Sequence, residues 1–249
     1  MKKIASIVLS SLLLLTTAGL ASAQSPESIK PDAGFKVTFS KSEIKDLDTL
    51  YQKAKNRISD EKVALPKVEL KNNQTNEVVD LESLSTTQLL EVKEDKTSNS
   101  TVKRYVTTAF ATPYAAGGSG EKPKNAWDSS YAVNAFSTIY WNITVSGGLE
   151  YISLTEVKGG WTVGDSKISL DNRLVRIGQT GTTKDRSHAD QKEEHYNYEL
   201  LNNKFDYGIN SNWVPVRTSQ SYTLVGVYTE VKLYRGTSSW ELTLSNNYN

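Results

Sequence analysis

From residue 131 the chain alternates. The odd positions Tyr131, Val133, Ala135, Ser137, Ile139, Trp141, Ile143 and Val145 are nearly all apolar. The even positions Ala132, Asn134, Phe136, Thr138, Tyr140, Asn142 and Thr144 are mostly polar. A period of two puts one set on each face of a strand, so the run predicts a long strand half-buried in an antiparallel sheet. Gly147-Gly148 supplies the positive φ of a hairpin turn, and Leu149 to Val157 returns. Gly159-Gly160 reads as a second turn before Trp161-Thr162-Val163, and Ile168, Leu170, Leu174 and Ile177 keep the pattern until Gly178-Gln179-Thr180-Gly181 closes it. A strand segment from Tyr196 to Leu201 follows. Val225, Val227, Val231 and Leu233 then share a face, and Gly236-Thr237-Ser238 turns that strand into Trp240, Leu242 and Leu244. The expectation is a mainly β protein, an antiparallel sandwich or closed barrel of about seven to nine strands.

Before residue 100 the period is different. Ser40 and Glu43 have the spacing of a capping box, and Ile44, Leu47, Leu50, Tyr51, Ala54 and Ile58 follow at helical intervals. This predicts one amphipathic helix of about 16 residues. Ser85 and Gln88 repeat the cap spacing before Leu89-Leu90, which predicts a second short helix. Val63 to Leu70 reads as extended, with Pro66 confining it to a sheet edge. Lys93 to Ser100 has a linker's composition. Residues 24–100 are therefore expected to be a polar, small helical and partly disordered leader segment, too short of apolar surface to stand alone. The β domain is expected over 101–249.

The first 23 residues read as a signal peptide. Lys2 and Lys3 precede an apolar run from Ile4 to Leu15, and Ala21-Ser22-Ala23 gives the small-x-small pattern that predicts cleavage before Gln24. The run is shorter than the ~20 residues of a bilayer-spanning helix. The expected location is secreted and extracellular. The chain has no cysteine, so neither a disulfide framework nor a lipid-attachment site is available, and its polar C-terminus offers no hydrophobic anchor. Net charge is +1, spread evenly, which argues against nucleic acid as a partner.

Candidate chemistry is sparse. His188 and His195 are seven residues apart in a polar stretch, matching no zinc spacing, and read as part of a solvated loop; Asp190 or Glu194 would supplement them in a metal site. Gly118-Ser119-Gly120 lacks the spacing of a nucleophile elbow. Paired carboxylates leave no sequence signature, so Glu150, Glu156, Asp165, Glu230 and Glu241 stand as candidates for a glycoside hydrolase. Neither a cofactor nor a metal is expected. The aromatic residues are more informative: all five tryptophans and all but one of the 13 tyrosines follow residue 100. Tyr140, Tyr222, Tyr228 and Tyr234 alternate away from the aliphatic residues of their strands, and Trp127 and Trp213 lie near loops. Amphipathic rings on a wet face can stack on sugars or lodge at a membrane interface, and they can equally cover a second core.

The block Ser146-Gly147-Gly148-Leu149-Glu150-Tyr151-Ile152-Ser153-Leu154-Thr155-Glu156-Val157, with Gly159-Gly160-Trp161 and Leu174-Val175-Arg176-Ile177-Gly178-Gln179-Thr180-Gly181, resembles a group of exported β-rich proteins of bacilli. Some of these resemble large non-lantibiotic bacteriocins. The resemblance covers roughly 125–249 and implies a secreted, non-enzymatic antibacterial protein. Its partner would be the envelope or membrane of competing Gram-positive cells, with self-association as a further option. A carbohydrate- or wall-binding module and a glycoside hydrolase are the alternatives.

Overall fold

In the computed structural model, which describes residues 34–111, 133–196 and 201–249, the alternation becomes two antiparallel sheets. In chain order the elements are β1 (Lys36–Ser40), α1 (Leu47–Lys55), β2 (Lys67–Asn72), β3 (Val78–Asp80), β4 (Ser83–Asp95), β5 (Ser100–Ala111), β6 (Val133–Ser146) and β7 (Leu149–Val163). Then come β8 (Ser169–Thr182), β9 (His188–Tyr196), β10 (Lys204–Gly208), β11 (Val216–Arg217), β12 (Leu224–Arg235) and β13 (Ser238–Asn247). The first sheet is ordered β1-β4-β5-β6-β7-β10, with β11 also on β7; the second is ordered β3-β2-β13-β12-β8-β9. The protein is thus mainly β and sandwich-like; among the described residues nine strands run from Ser100 onward, within the expected seven to nine, and residues 34–100 add four more.

The core lies between the sheets. Ile139 and Trp141 of β6, with Ile152 and Val157 of β7, meet Val175 and Ile177 of β8 and Val225, Val227 and Val231 of β12. Trp141 is fully buried, stacks on Tyr105 at 4.3 Å between centroids, and donates its indole N–H to Thr107 Oγ1 at 3.0 Å. That bond matters because a buried N–H without an acceptor would oppose folding. Two buried amides bolt the sheets together. Asn246 of β13 donates to the carbonyl of Ser137 at 3.0 Å and of Thr107 at 3.3 Å. Gln179 of β8 accepts the Leu154 N–H at 2.7 Å, where the β6–β7 register shifts, and donates to the Val214 carbonyl at 2.7 Å.

Residues 34–100 differ from expectation: residues 34–249 form one compact unit. The second expected helix is the middle of β4, paired along its length with β5, because Thr86 and Thr87 suit an extended backbone and pair with Thr108 and Thr107. The expected linker is the β4–β5 hairpin turn. There Asp95 accepts the Thr97 N–H at 2.9 Å and the Ser98 hydroxyl at 2.6 Å, and Asn99 takes φ 49°. The helix is shorter than expected and starts later. Asp46 caps it by accepting the Thr49 N–H at 2.8 Å, while Ser40 ends β1.

This helix buries Leu50, Tyr51 and Ala54 against Phe110, on a cluster separate from the main core. The chain after it seals β4: Thr86 Oγ1 donates to the Ile58 carbonyl at 2.8 Å, and Asp60 accepts the Leu89 N–H at 3.0 Å. An open strand edge is thereby closed. β2 begins just after Pro66 and lies between β13 and β3, so it is an interior strand and not the expected edge.

The two glycine pairs part company. Gly147 and Gly148 take φ of 60° and 75° and make the expected hairpin turn. β7 instead runs straight through Gly159-Gly160. A Cβ at Gly159 would lie 2.3 Å from Phe205 Cζ, and one at Gly160 would lie 2.5 Å from the Asn203 carbonyl oxygen. These glycines admit β10 at close range, a job composition alone cannot distinguish from turning. β8 likewise continues past Gly178 and Gly181 to Thr182, and the histidine stretch read as a loop is the edge strand β9.

Candidate ligand-binding cleft

The strand tyrosines proposed as contact residues are already engaged. Tyr140 of β6 donates its hydroxyl to Glu43 at 2.7 Å, and Lys158 Nζ sits 5.5 Å from its ring centroid. Tyr228 of β12 donates to Glu230 at 2.9 Å beneath the Arg176 guanidinium, 5.7 Å from its centroid. Arg176 in turn donates to Glu194 at 2.8 Å. Burial first, then these carboxylates, raises both phenols well above their ordinary range, so each stays a neutral donor. The Tyr234 ring lies beneath Lys232 Nζ at 5.3 Å. A cation over the ring competes with a sugar for the same face. Trp213 is half-buried and packs on the main core. Tyr222 alone of the four tyrosines is exposed, at 53 %, with His188 6.0 Å from its ring. Trp127, the Gly118-Ser119-Gly120 segment and the cleavage residues Ala21, Ala23 and Gln24 lie outside the described residues.

The alternative chemistries are also dispersed. His188 is exposed, while the His195 ring stacks on Tyr207 at 3.6 Å, joining edge strand β9 to edge strand β10. No group of three or more His, Asp or Glu positioned to hold a metal occurs among the described residues. The strand carboxylates each have a local partner. Glu156 pairs with Lys158 at 2.8 Å and Asp165 with Arg235 at 3.0 Å, Glu230 takes the Tyr228 hydroxyl, and Glu241 faces Lys232 across the β12–β13 ladder. The Glu150 carboxylate accepts the Thr218 hydroxyl at 3.5 Å.

One end of the sandwich is different. Three hairpin connections meet there around an open cleft of about 610 Å³. The β4–β5 turn contributes Ser98 and Ser100, and the β6–β7 hairpin contributes Thr144, Ser146 and Tyr151. The β8–β9 turn contributes Thr183, Lys184, Asp185 and Ser187, while Phe35, Val214 and Pro215 supply an apolar wall. The size falls within the usual range for small-molecule sites.

The β8–β9 turn is built around one carboxylate. Asp185 Oδ1 accepts the Ser187 hydroxyl at 2.8 Å, the Ser187 N–H at 3.2 Å and the Thr183 hydroxyl. Those hydroxyls, Thr183 first and Ser187 next, hold the Asp185 carboxyl down to about 2. All three donors converge on Oδ1, and Oδ2 has no partner among the described residues. Arg186 completes the turn at φ 69°.

Other polar ends facing the cleft are equally unspent. Tyr151 is only 6 % exposed, yet its hydroxyl has no hydrogen-bond partner among the described residues and is not sealed from solvent. Its cross-strand neighbour Thr144, together with Ser146 and the Lys184 ammonium, has no side-chain partner among the described residues either. The sequence marks Tyr151 only by its position in a strand next to a Gly-Gly turn, and Asp185 sits in an undifferentiated polar run.

Comparison with protein-family models, with curated proteins and with solved structures finds no match for this chain. Among the described residues no helix is long and apolar enough to cross a membrane.

Proposed function

We propose that this is a secreted, non-enzymatic antibacterial protein that acts by binding at the envelope of related Gram-positive bacteria. The observation that carries the reading is the end cleft, where the sandwich presents polar groups without partners among the described residues beside apolar lining. Connections held by a packed scaffold are a common place for recognition. The candidate acid–base carboxylates Glu156, Asp165, Glu230 and Glu241, by contrast, are tied into local pairs on different elements, which favours binding over turnover. Export is supported by the basic, apolar and small-x-small succession at residues 2–23. The test is to apply the purified protein to a panel of bacilli while recording viability and membrane potential. Inhibition that disappears with cleft substitutions is expected. Hydrolysis of wall polymer or polysaccharide by the protein, with no inhibition, would sink the reading in favour of a glycoside hydrolase.

The second reading, a wall- or carbohydrate-binding module without killing, rests on the same cleft. Cell-surface retention without loss of viability is its signature.

A further inference from the structure

We infer that the end cleft is a site for a short, uncharged N-acetylamino sugar, of about two pyranose rings. The inference rests on the envelope-binding reading and gives it a ligand class.

Charge comes first. Among the described residues the cleft carries one carboxylate, Asp185, and one ammonium, Lys184, whose formal charges cancel. Among the described residues no arginine lines it, so the forked donor that anionic phosphate recognition favours is missing from that lining. A neutral ligand fits this balance better than an anionic or cationic one.

Hydrogen bonding narrows the class. Tyr151 Oη, Thr144 Oγ1 and Ser146 Oγ can each donate and accept, Asp185 Oδ2 only accepts, and Lys184 only donates. None has a partner among the described residues. A purely apolar ligand would strip water from these groups and leave them unpaired, at the expense of affinity. A ligand studded with hydroxyls, each donor and acceptor at once, replaces that water group for group. Asp185 adds orientation, since its turn fixes Oδ1 and leaves Oδ2 to receive a hydroxyl or an amide N–H.

The apolar lining completes the match. Phe35, Val214 and Pro215 supply surface suited to the C–H face of a pyranose and to the methyl of an acetamido group. A sugar bearing that group adds an amide N–H for the acceptor and a methyl for the apolar patch, and a plain glucose disaccharide offers hydroxyls and C–H faces alone.

The test is isothermal titration of the purified full chain with N,N′-diacetylchitobiose and, separately, maltose. We expect chitobiose to bind and maltose to bind at least tenfold more weakly. Tyr151→Phe should weaken chitobiose about fivefold or more with no change in melting, because that hydroxyl has no hydrogen-bond partner among the described residues. Ser146→Ala gives an independent check if Tyr151→Phe perturbs the fold. Equal affinity for the two sugars, no sugar binding, or binding indifferent to both substitutions would overturn the assignment. Killing abolished by Tyr151→Phe in the absence of sugar binding would remove the ligand class and leave the functional reading intact. Sugar binding without any killing would do the reverse.

Discussion

The outward face of β12 and β8 and the cleft at the sandwich end use the same chemical vocabulary. Each combines tyrosine hydroxyls, carboxylates and a basic side chain. On the sheet face these groups are spent on one another: Tyr228 on Glu230, Arg176 on both the Tyr228 ring and Glu194, Lys232 on the Tyr234 ring. At the cleft they have no partner among the described residues, as with the Tyr151 hydroxyl and Asp185 Oδ2. Residue type is therefore a poor guide to a binding surface in this protein, and pairing is the better one. A ring with a cation over it and its hydroxyl bonded contributes to the sheet, while a buried ring with an unspent hydroxyl at a cavity is available to a ligand.

Both regions depend on one sandwich, so the largest effect comes from dividing it. Truncation to 101–249 removes β1 and β4 from the first sheet and β2 and β3 from the second, and with them every strand beyond β5 and β13 on that side. The fragment should show neither a cooperative melt nor cleft binding by circular dichroism and titration. A cooperative β-type melt from the fragment would mean that residues 34–100 are dispensable after all.

What was legible in the sequence follows the strength of the pattern. The run 133–145 alternates cleanly, and β6 appears where it predicts, with Gly147-Gly148 turning into β7. β4 was hidden because Ser85 and Gln88 imitate a helix cap, and its hydroxylated middle, Thr86-Thr87, hides the two-residue period. Those threonines are buried because Thr87 bonds Thr107 at 2.8 Å and Thr86 bonds the Ile58 carbonyl, partners far away in sequence. The engaged state of Tyr140 was illegible for the same reason, since Glu43 is 97 positions away, and the guanidinium over the Tyr228 ring comes from Arg176 on another strand. The cleft could not be read at all, since three separate turns meet only once both sheets have formed.

Next in size is the core beneath both regions. Trp141→Ala removes a fully buried ring from between Tyr105 and Tyr248 and leaves Thr107 without its indole donor. The expected loss is about 3–5 kcal/mol, typical of a buried tryptophan truncated to alanine. Urea denaturation should register it as a lower midpoint at unchanged slope. A loss under about 1 kcal/mol would show that Trp141 is not the centre of the core.

The comparison itself is sharpened by paired substitutions. Tyr228→Ala should reduce stability by about 0.5–1 kcal/mol, through the exposed cation–π contact and the carboxylate bond, and should leave ligand binding unaltered. Tyr151→Phe should do the opposite, with the melt unmoved and binding impaired. If Tyr228→Ala impaired binding while the melt held, the sheet face would be the working surface and the cleft a bystander.

The smallest effect is a titration, and it isolates Asp185. Its carboxyl ordinarily ionises at 3.8, and in the fold the Thr183 and Ser187 hydroxyls bring it to about 2. A carboxyl whose folded value is depressed favours the fold fully above 3.8 and loses that contribution as pH falls through about 2. The β8–β9 turn should accordingly hold its arrangement at pH 4 and loosen between there and 2, with the Ser187 amide proton as the NMR reporter of its bond to Oδ1. The group is fully solvent-exposed, so the global melt should hardly respond, and only the local signals and cleft binding should change over that window. Asp185→Asn should flatten both titrations. A midpoint near 3.8 for Asp185 would mean that its hydroxyl donors are not in place in solution, and with them would go the fixed orientation of Oδ2 on which the cleft depends.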